Sequence, residues 1–258
     1  MKKKILGCVA IALSMWLFGL IVVFSFGNSF GLTAIAESDD IPQVGSVITF
    51  GNFTQDFRGL ESTPIEWVVL DVNNNKVSLM SKEILDARPF HETDDVSSWR
   101  ASDLRKWLNG EFLKNAFSTD EQKMIFSIQR QNSSDKIGIM TLKEVQTYFH
   151  DMPSYTNETN PLWPYYHADM TDYANGSFYG HHESKYAEFV KRKEERGGPI
   201  RQSWWTMNIW DNHYWVDTVG EPMYVGIEVV HYPCTQSVIG VRPTLVLNWK
   251  MYEKTVVK

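Results

Sequence analysis

The sequence predicts an α+β fold with a largely antiparallel sheet, short helices and long loops. Two strand-like segments come first, at residues 44–53 and 64–81. Apolar residues at helical spacing follow between residues 98 and 126, and strand-like segments return after residue 203. Strands that are separated from helices along the chain in this way are typical of α+β proteins, whose sheets are mainly antiparallel.

The first 36 residues are predicted to be an export signal or a membrane anchor. Three lysines at positions 2–4 precede an apolar run of 22 residues (5–26), and an Ala-Ile-Ala cleavage pattern follows at 34–36. This order is that of a secretory signal. The apolar run is also long enough to cross a bilayer as an uncleaved anchor. Both alternatives place residues 37–258 outside the cytoplasm, because the lysines stay inside.

The remainder of the chain is divided into a short polar leader (37–43), a single α+β domain (44–250) and a C-terminal tail (251–258). Without the three lysines it has 22 basic and 31 acidic residues, a net charge of −9. This charge argues against a nucleic-acid partner, whose phosphates need a basic surface. Cys234 is the only cysteine after the signal, so the sequence allows no intrachain disulfide there. That suits a bacterial exterior better than a eukaryotic secretory pathway.

The strand-like segment 64–81 is interrupted by three asparagines that favour a hairpin turn. Asp71, Asn73 and Asn75 resemble the opening of a calcium-binding loop. However, Lys76 and Lys82 occupy the positions of its glycine and its bidentate glutamate. A hairpin turn is therefore predicted here, without calcium.

The helical part carries recognisable start signals. Ser102 is a predicted N-cap, and Gly110 interrupts the apolar pattern of the helix that follows it. Ser118-x-x-Glu121 and Thr141-x-x-Glu144 are capping boxes, each of which predicts the start of a further helix. The second of these helices is expected to end near residue 150, and residues 136–140 before it look like a strand.

Residues 151–200 form the first candidate binding region. Their first part, to about residue 184, is rich in Pro, Asn, Gly and Tyr and is predicted to be a long irregular loop. The second part is charged and predicts a solvated helix that is closed by Gly197 and Gly198. Long loops in compact domains are often functional. Trp163 and Tyr179 are therefore candidate ligand-binding residues.

The second candidate is the aromatic segment 203–218. Trp204 and Trp205 are adjacent in a predicted strand, so their indoles point to opposite faces, and we expect them to be core. Trp210 and Trp215 flank a turn with Asp211, Asn212 and His213 at its tip. One interpretation is that these rings also fill a core. The other is an exposed aromatic surface, which also includes Trp205, that stacks on a sugar or peptide while the turn supplies hydrogen bonds.

Metal and catalytic motifs are weak. His181, His182 and Glu183, with His167, Asp169 and Asp172 nearby in sequence, could supply ligands, but no H-E-x-x-H or paired C-x-x-C spacing is present. No nucleophile-elbow motif is present, and no two carboxylates stand out as a glycosidase pair. We therefore predict no metal, no cofactor and no catalytic residue. Arg242 is predicted to be structural, paired with a carboxylate or with carbonyl groups.

A series of short motifs resembles a bacterial family of exported domains of unknown function, numbered 6273. The motifs are FG at 50–51, IEWVVLD at 65–71, LMSKEILD at 79–86, the segments 99–109 and 112–118, IGIMTLKEV at 137–145, TDYA at 171–174, WW at 204–205 and GVRPTLVL at 240–247. The resemblance runs from about Val44 to Leu247. It implies an exported or membrane-attached protein of Gram-positive bacteria and assigns no biochemical role.

The closing WW and GVRP motifs also look like the end of C-type-lectin-like folds, especially those of formylglycine-generating enzymes. That resemblance implies a C-type-lectin-like domain. The oxidase chemistry of those enzymes needs two cysteines near the end of the domain, and this chain has only Cys234 there.

The sequence therefore favours a non-catalytic domain, secreted or anchored at a bacterial cell surface, that binds a carbohydrate or a peptide. Two alternatives stay open: a hydrolase acting on cell-surface polymers, and a structural partner domain in a surface assembly. The only membrane contact expected is that of the N-terminal segment.

Overall fold

The computed structural model describes residues 41–149, 160–177, 179–198, 200–210, 215–220 and 229–256. The predicted signal or anchor (1–36) and most of the predicted leader lie outside these residues. Across the part of the chain that is described, no helix is both long and apolar enough to cross a membrane.

Eleven strands occur in the described residues. They are β1 (Val47–Thr54), β2 (Ser62–Asn73), β3 (Lys76–Ser81), β4 (Asp86–Ala87), β5 (Ile128–Arg130), β6 (Ser133–Asp135), β7 (Trp204–Trp210), β8 (Trp215–Val219), β9 (Val230–Pro233), β10 (Gly240–Val241) and β11 (Thr244–Asn248).

Seven α-helices occur there as well. They are α1 (Asp103–Trp107), α2 (Leu113–Ala116), α3 (Thr119–Met124), α4 (Leu142–Tyr148), α5 (Asp172–Ser177), α6 (Glu183–Arg196) and α7 (Trp249–Val256). A π-helical turn, Leu108–Phe112, joins α1 to α2, and two 3₁₀ turns lie at Trp99–Ala101 and Trp163–Tyr165.

The strands form two main sheets and a small hairpin. The first sheet has the order β1-β2-β3-β11, the second has the order β4-β10-β7-β8-β9, and β5 pairs with β6. All of these pairings are antiparallel except that of β10 with β7. The predicted α+β class with a largely antiparallel sheet is thus confirmed.

The domain has two hydrophobic cores, and strands of both sheets contribute side chains to each core. In β2, Trp67 and Val69 enter one core, while Val68 and Leu70 enter the other. Side chains alternate between the two faces of a strand, so a run without polar residues must be covered on both sides. The unbroken apolar stretch of β2, residues 67–70, is explained by burial of the strand on both faces.

The adjacent tryptophans of β7 follow the same rule. Trp205 lies in the first core and Trp204 in the second, and both side chains are fully buried. Trp205 Nε1 donates to the carbonyl of Arg88 at 2.9 Å, and Trp204 Nε1 donates to that of Tyr166 at 3.3 Å. The prediction that this pair is core, with one indole on each face, is confirmed.

The predicted helix starts are confirmed. The Ser102 side chain accepts from the Arg105 backbone at the start of α1. The boxes Ser118–Glu121 and Thr141–Glu144 are formed in both directions at the starts of α3 and α4. At Gly110 the helix does not break; it widens into the π-helical turn, which absorbs an extra residue and continues into α2.

The turn between β2 and β3 is a tight hairpin, as predicted. Asn73 pairs with Lys76, and Asn74 adopts a positive φ of 52°, a conformation that asparagine tolerates better than most residues. The helix predicted after residue 184 is α6, which begins two residues earlier than expected, at Glu183, and ends at Gly197 with φ 71°. Glycine is favoured at this left-handed position.

Two predictions of local structure were wrong. Residues 136–140 form no regular strand, because the Asn109 side chain takes the N–H groups of Lys136 and Ile137 that a strand neighbour would need. The loop predicted before residue 184 contains α5, whose start is stabilised by Thr171 Oγ1 accepting from the Ala174 N–H.

Residues 251–256, which fall in the predicted tail, belong to α7. The Trp249 and Tyr252 side chains of this helix pack against the first core.

Arg242 lies where the chain passes from β10 in the second sheet to β11 in the first. It is fully buried and donates to the carbonyl oxygens of Ser81 (2.9 Å), Lys82 (3.1 Å) and Tyr165 (2.8 Å). Its guanidinium also lies 5.1 Å from the centre of the Trp204 ring. Burial lowers the pKa of Arg242 to about 9, so the group is still charged at neutral pH. The predicted structural role of Arg242 is confirmed, with carbonyl groups as its partners.

Replacing Arg242 by methionine should destabilise the domain by at least about 3 kcal/mol, because one buried and two partly buried hydrogen bonds to carbonyl groups would be lost. Urea denaturation followed by circular dichroism measures this change. The exposed Arg100 is the matched control, and Arg100→Met should change the free energy of unfolding by about 0.5 kcal/mol or less. An Arg242→Met protein as stable as the control would contradict the structural role.

Candidate functional site

The candidate site lies at one end of the second sheet, where β7, β8 and β9 run side by side. Trp210 on β7 pairs with Trp215 on β8, and Asp217 on β8 pairs with His231 on β9. Directly opposed residues share a face of the sheet, and so do residues two apart on one strand. All four side chains therefore lie on the same face. We call Trp210, Trp215 and His231 the Trp210 ledge.

Trp204 and Val219 lie on this same face, at the other end of the paired strands, and both are buried in the second core. The face thus changes along the strands from core to surface. An irregularity in the register between Trp205 and Ile209 adds residues to β7 without changing which face they occupy. Such bulges bend a strand and redirect its end.

The Trp210 indole is the exposed part of the ledge. It is 49% exposed, and it stacks on the His231 imidazole with the ring centres 4.3 Å apart and the planes only 9° from parallel. Because His231 covers one face of the indole, the exposed area has to come from the other face and the ring edges. A flat apolar surface is thus held in a fixed orientation next to solvent.

His231 is oriented by Asp217. Its Nδ1 lies 2.9 Å from Asp217 Oδ1 and donates to the carboxylate, while 34% of the His231 side chain is exposed. Burial raises the pKa of Asp217, and the hydrogen bond and charge of His231 act in the opposite direction. With Nδ1 occupied in this way, Nε2 of a neutral His231 is a hydrogen-bond acceptor, and Nε2 of a protonated one is a donor.

The structure brings together only some of the residues predicted from sequence. Trp210 and Trp215 are neighbours, whereas Asp211, Asn212 and His213 lie outside the described residues. Trp205 is fully buried in the first core, so its side chain offers no surface to a ligand and it leaves the candidate site.

Trp163 and Tyr179 lie elsewhere. Trp163 stacks on Tyr166 with the ring planes 8° apart, and the Tyr166 hydroxyl accepts from the N–H of Gly220, next to the end of β8 opposite the ledge. Tyr179 accepts a hydrogen bond from Arg192 of α6. Neither residue belongs to the ledge in the structure.

Asp217 and His231 were missed by the sequence reasoning. Asp217 gave a usable signal, because an acid within the short strand-like segment WVDTV needs a partner once that strand is covered. His231 gave none, since the pairing of β8 with β9 decides which residue stands opposite Asp217.

The histidines and acids considered for a metal do not converge. His181 Nδ1 lies 2.8 Å from the carbonyl of Phe57, and His167 Nδ1 lies 3.5 Å from that of Gly220. The three acids form ion pairs with three different basic residues: Asp169 with Arg201, Asp172 with Lys193, and Glu183 with Arg58. Within the described ranges no group of three or more His, Cys, Asp or Glu side chains could hold a metal ion.

The contrast between Trp205 and Trp210 can be measured. Trp205→Ala should lower the free energy of unfolding by about 3–5 kcal/mol, as large truncations in a core do. Trp210→Ala should cost about 1 kcal/mol or less, because it removes only a partly exposed stack. Urea titrations of the two variants give both values. Equal losses would mean that Trp210 is part of the core.

His167 predicts a dependence of stability on pH. Burial lowers its pKa below the usual value, so between the two values the unfolded chain binds more protons than the folded one. Stability is therefore lost as the pH falls through this window, which lies below about 6.5. Denaturation at pH 7 and pH 5 should show a smaller acid loss for His167→Gln than for the unmodified protein. An unchanged loss would contradict this assignment.

Comparisons with known proteins place the chain in a family. No curated protein and no solved structure matched the chain. Residues 74–249 match the family described as a domain of unknown function, DUF6273. This range covers more than half of the chain and contains β3 to β11, including the whole Trp210 ledge. The protein therefore belongs to the DUF6273 family.

Proposed function

We propose that this protein is a non-catalytic binding domain of the bacterial cell exterior and that it binds carbohydrate on the Trp210 ledge. The observation that carries the proposal is the 49% exposed Trp210 indole, held flat against His231. A ligand that covers the exposed part of this indole would remove a large apolar surface from water, which favours binding.

The chemistry of the ledge suits a sugar ring. The apolar face of a pyranose packs on a flat aromatic surface, and its hydroxyl groups need nearby polar atoms. Here the polar atom is Nε2 of His231, at the edge of the stacked pair. Asp217 fixes the imidazole before a ligand arrives, so little side-chain freedom is lost on binding.

The location is part of the proposal and rests on the sequence. The lysines at 2–4 and the apolar run at 5–26 support export, with the domain either released or held by its N-terminal segment. The resemblance of the WW and GVRP motifs to C-type-lectin-like folds is consistent with a sugar-binding role. Fold resemblance alone does not decide function, so the ledge carries the argument.

Trp210→Ala should weaken carbohydrate binding about tenfold or more, because the sugar ring loses its packing on the indole while the fold is kept. The measurement is saturation-transfer NMR and calorimetry on the full chain in detergent, with soluble oligosaccharides of neutral hexoses and of N-acetylhexosamines. Tyr186→Ala is the control, since it removes another exposed aromatic ring, on α6.

Four results would overturn the proposal. If neither class of oligosaccharide binds, carbohydrate is not the ligand. If Trp210→Ala and Tyr186→Ala lose affinity equally, the Trp210 ledge is not the binding site. Cleavage of a bound oligosaccharide would instead indicate the hydrolase alternative. Binding to a protein partner with no sugar affinity would indicate a structural domain.

A further inference from the structure

A second candidate site lies away from the ledge, in a cleft between β1, the π-helical turn and α5. The cleft has a volume of about 110 Å³. Its walls include four aromatic side chains and two charged ones: Phe53, Trp107, Phe112, Tyr173, Arg88 and Glu111. We call it the Arg88 cleft.

Arg88 is held rigidly at one wall. Its Nε and Nη2 donate to Asp86 Oδ2 at 3.0 and 2.5 Å, and its guanidinium lies 3.6 Å from the centre of the Trp107 ring. Its side chain is nevertheless 31% exposed. The guanidinium is therefore fixed in orientation and still accessible from the cleft.

Asp86 provides this support from behind the cleft. It is 2% exposed, and its Oδ1 accepts from the Ala87 N–H and from Ser177 Oγ, both at 2.8 Å. One carboxylate oxygen thus serves the backbone and α5, and the other serves Arg88. Both ionic contacts of Arg88 go to Asp86 Oδ2, through Nε and Nη2. Among the described residues, this leaves the Nη1 edge of the guanidinium for a further acceptor.

Glu111 supplies the opposite charge at another wall. It lies in the π-helical turn and is exposed, and within the described part of the chain it forms no salt bridge with a basic residue. The pKa of Tyr173 is raised, first by burial and further by the charges of Asp86 and Glu111, while Arg88 acts in the opposite direction. The charges on both walls therefore act on the same phenol.

The aromatic walls make the cleft rigid. Phe53 meets Trp107, Phe112 and Tyr173 edge to face, with ring centres 6.4, 5.0 and 5.7 Å apart. Tyr173 is in turn stacked on His181 at 4.4 Å. Apolar walls lower the local dielectric constant and strengthen the interaction of the two charges with a ligand.

We infer that the Arg88 cleft binds a small zwitterion, an α-amino acid with a small side chain. The ligand carboxylate pairs with Arg88, and the ligand ammonium lies toward Glu111. A lone anion would meet Glu111, and a lone cation would meet Arg88, so a ligand with both charges matches the two walls best. The volume of about 110 Å³ is enough for several water molecules but too small for a drug-sized ligand. The side chain of the bound amino acid must therefore be small.

The test uses calorimetry on the full chain with alanine and two analogues, each of which lacks one of its charged groups. Alanine carries both charges, propionate lacks the ammonium and ethylamine lacks the carboxylate. Alanine should bind at least tenfold more tightly than either of the other two. Equal binding of propionate would reveal a simple anion site, and absence of alanine binding would also overturn the inference.

Two variants test the residues. Arg88→Met keeps an apolar stem over Trp107, and Glu111→Gln keeps the shape of an exposed side chain; each should weaken alanine binding at least tenfold. The controls are Arg58→Met and Glu194→Gln, exposed charges of the same types that do not line the cleft. They should leave binding unchanged.

Glu111→Gln keeps the test decisive even if Arg88→Met disturbs the fold, because Glu111 is exposed and forms no salt bridge with any residue that the structure describes. Unchanged alanine binding in Glu111→Gln would overturn the inference. Trp210→Ala should leave alanine binding unchanged. The proposal for the Arg88 cleft and the proposal for carbohydrate binding on the Trp210 ledge are therefore tested independently.

Discussion

The buried guanidinium of Arg242 is the interaction on which the arrangement of the two sheets depends. Arg242 lies between β10 and β11. It donates hydrogen bonds to the carbonyl groups of Ser81 at the end of β3, of Lys82 and of Tyr165. A charge without a buried carboxylate partner is costly to remove from water, and it persists only where several dipoles converge on it. The β10–β11 crossing is therefore fixed in one geometry. This geometry sets the position of β10 relative to β11.

The double burial of β2 and β7 follows from that arrangement. Each strand separates two cores, and in β7 the separation is made by Trp204 and Trp205, whose indole N–H groups both find backbone carbonyls. Only toward its end does β7 leave the cores, and there Trp210 meets solvent. The same strand thus supplies both a fully buried pair of tryptophans and the most exposed tryptophan of the described residues.

Much of the fold could be predicted because the determining signals are local. Capping boxes, the hairpin asparagines and the glycine after α6 depend on residues within one turn of each other, and all were found where the sequence placed them. The 136–140 segment was mispredicted because its hydrogen bonds are divided among groups that are distant in sequence. The Asn109 side chain accepts from Lys136 and Ile137, while Gly138 bridges to Thr244 and the Met140 carbonyl accepts from Met207. The candidate site was half predicted for the same reason. Trp210 and Trp215 are only five positions apart in the sequence, whereas the partnership of Asp217 with His231, and that of Asp86 with Ser177, depend on tertiary pairing.

The position of β11 has a consequence for how the chain folds. This strand, residues 244–248, pairs with β3, and the Pro243 carbonyl just before it accepts from the Ser81 N–H. Neither core can close until a segment near the end of the chain has returned to one near its beginning. Contacts so distant in sequence slow folding and leave apolar strands uncovered in the meantime. A ribosome or a translocation channel would therefore release most of this domain before it could become compact.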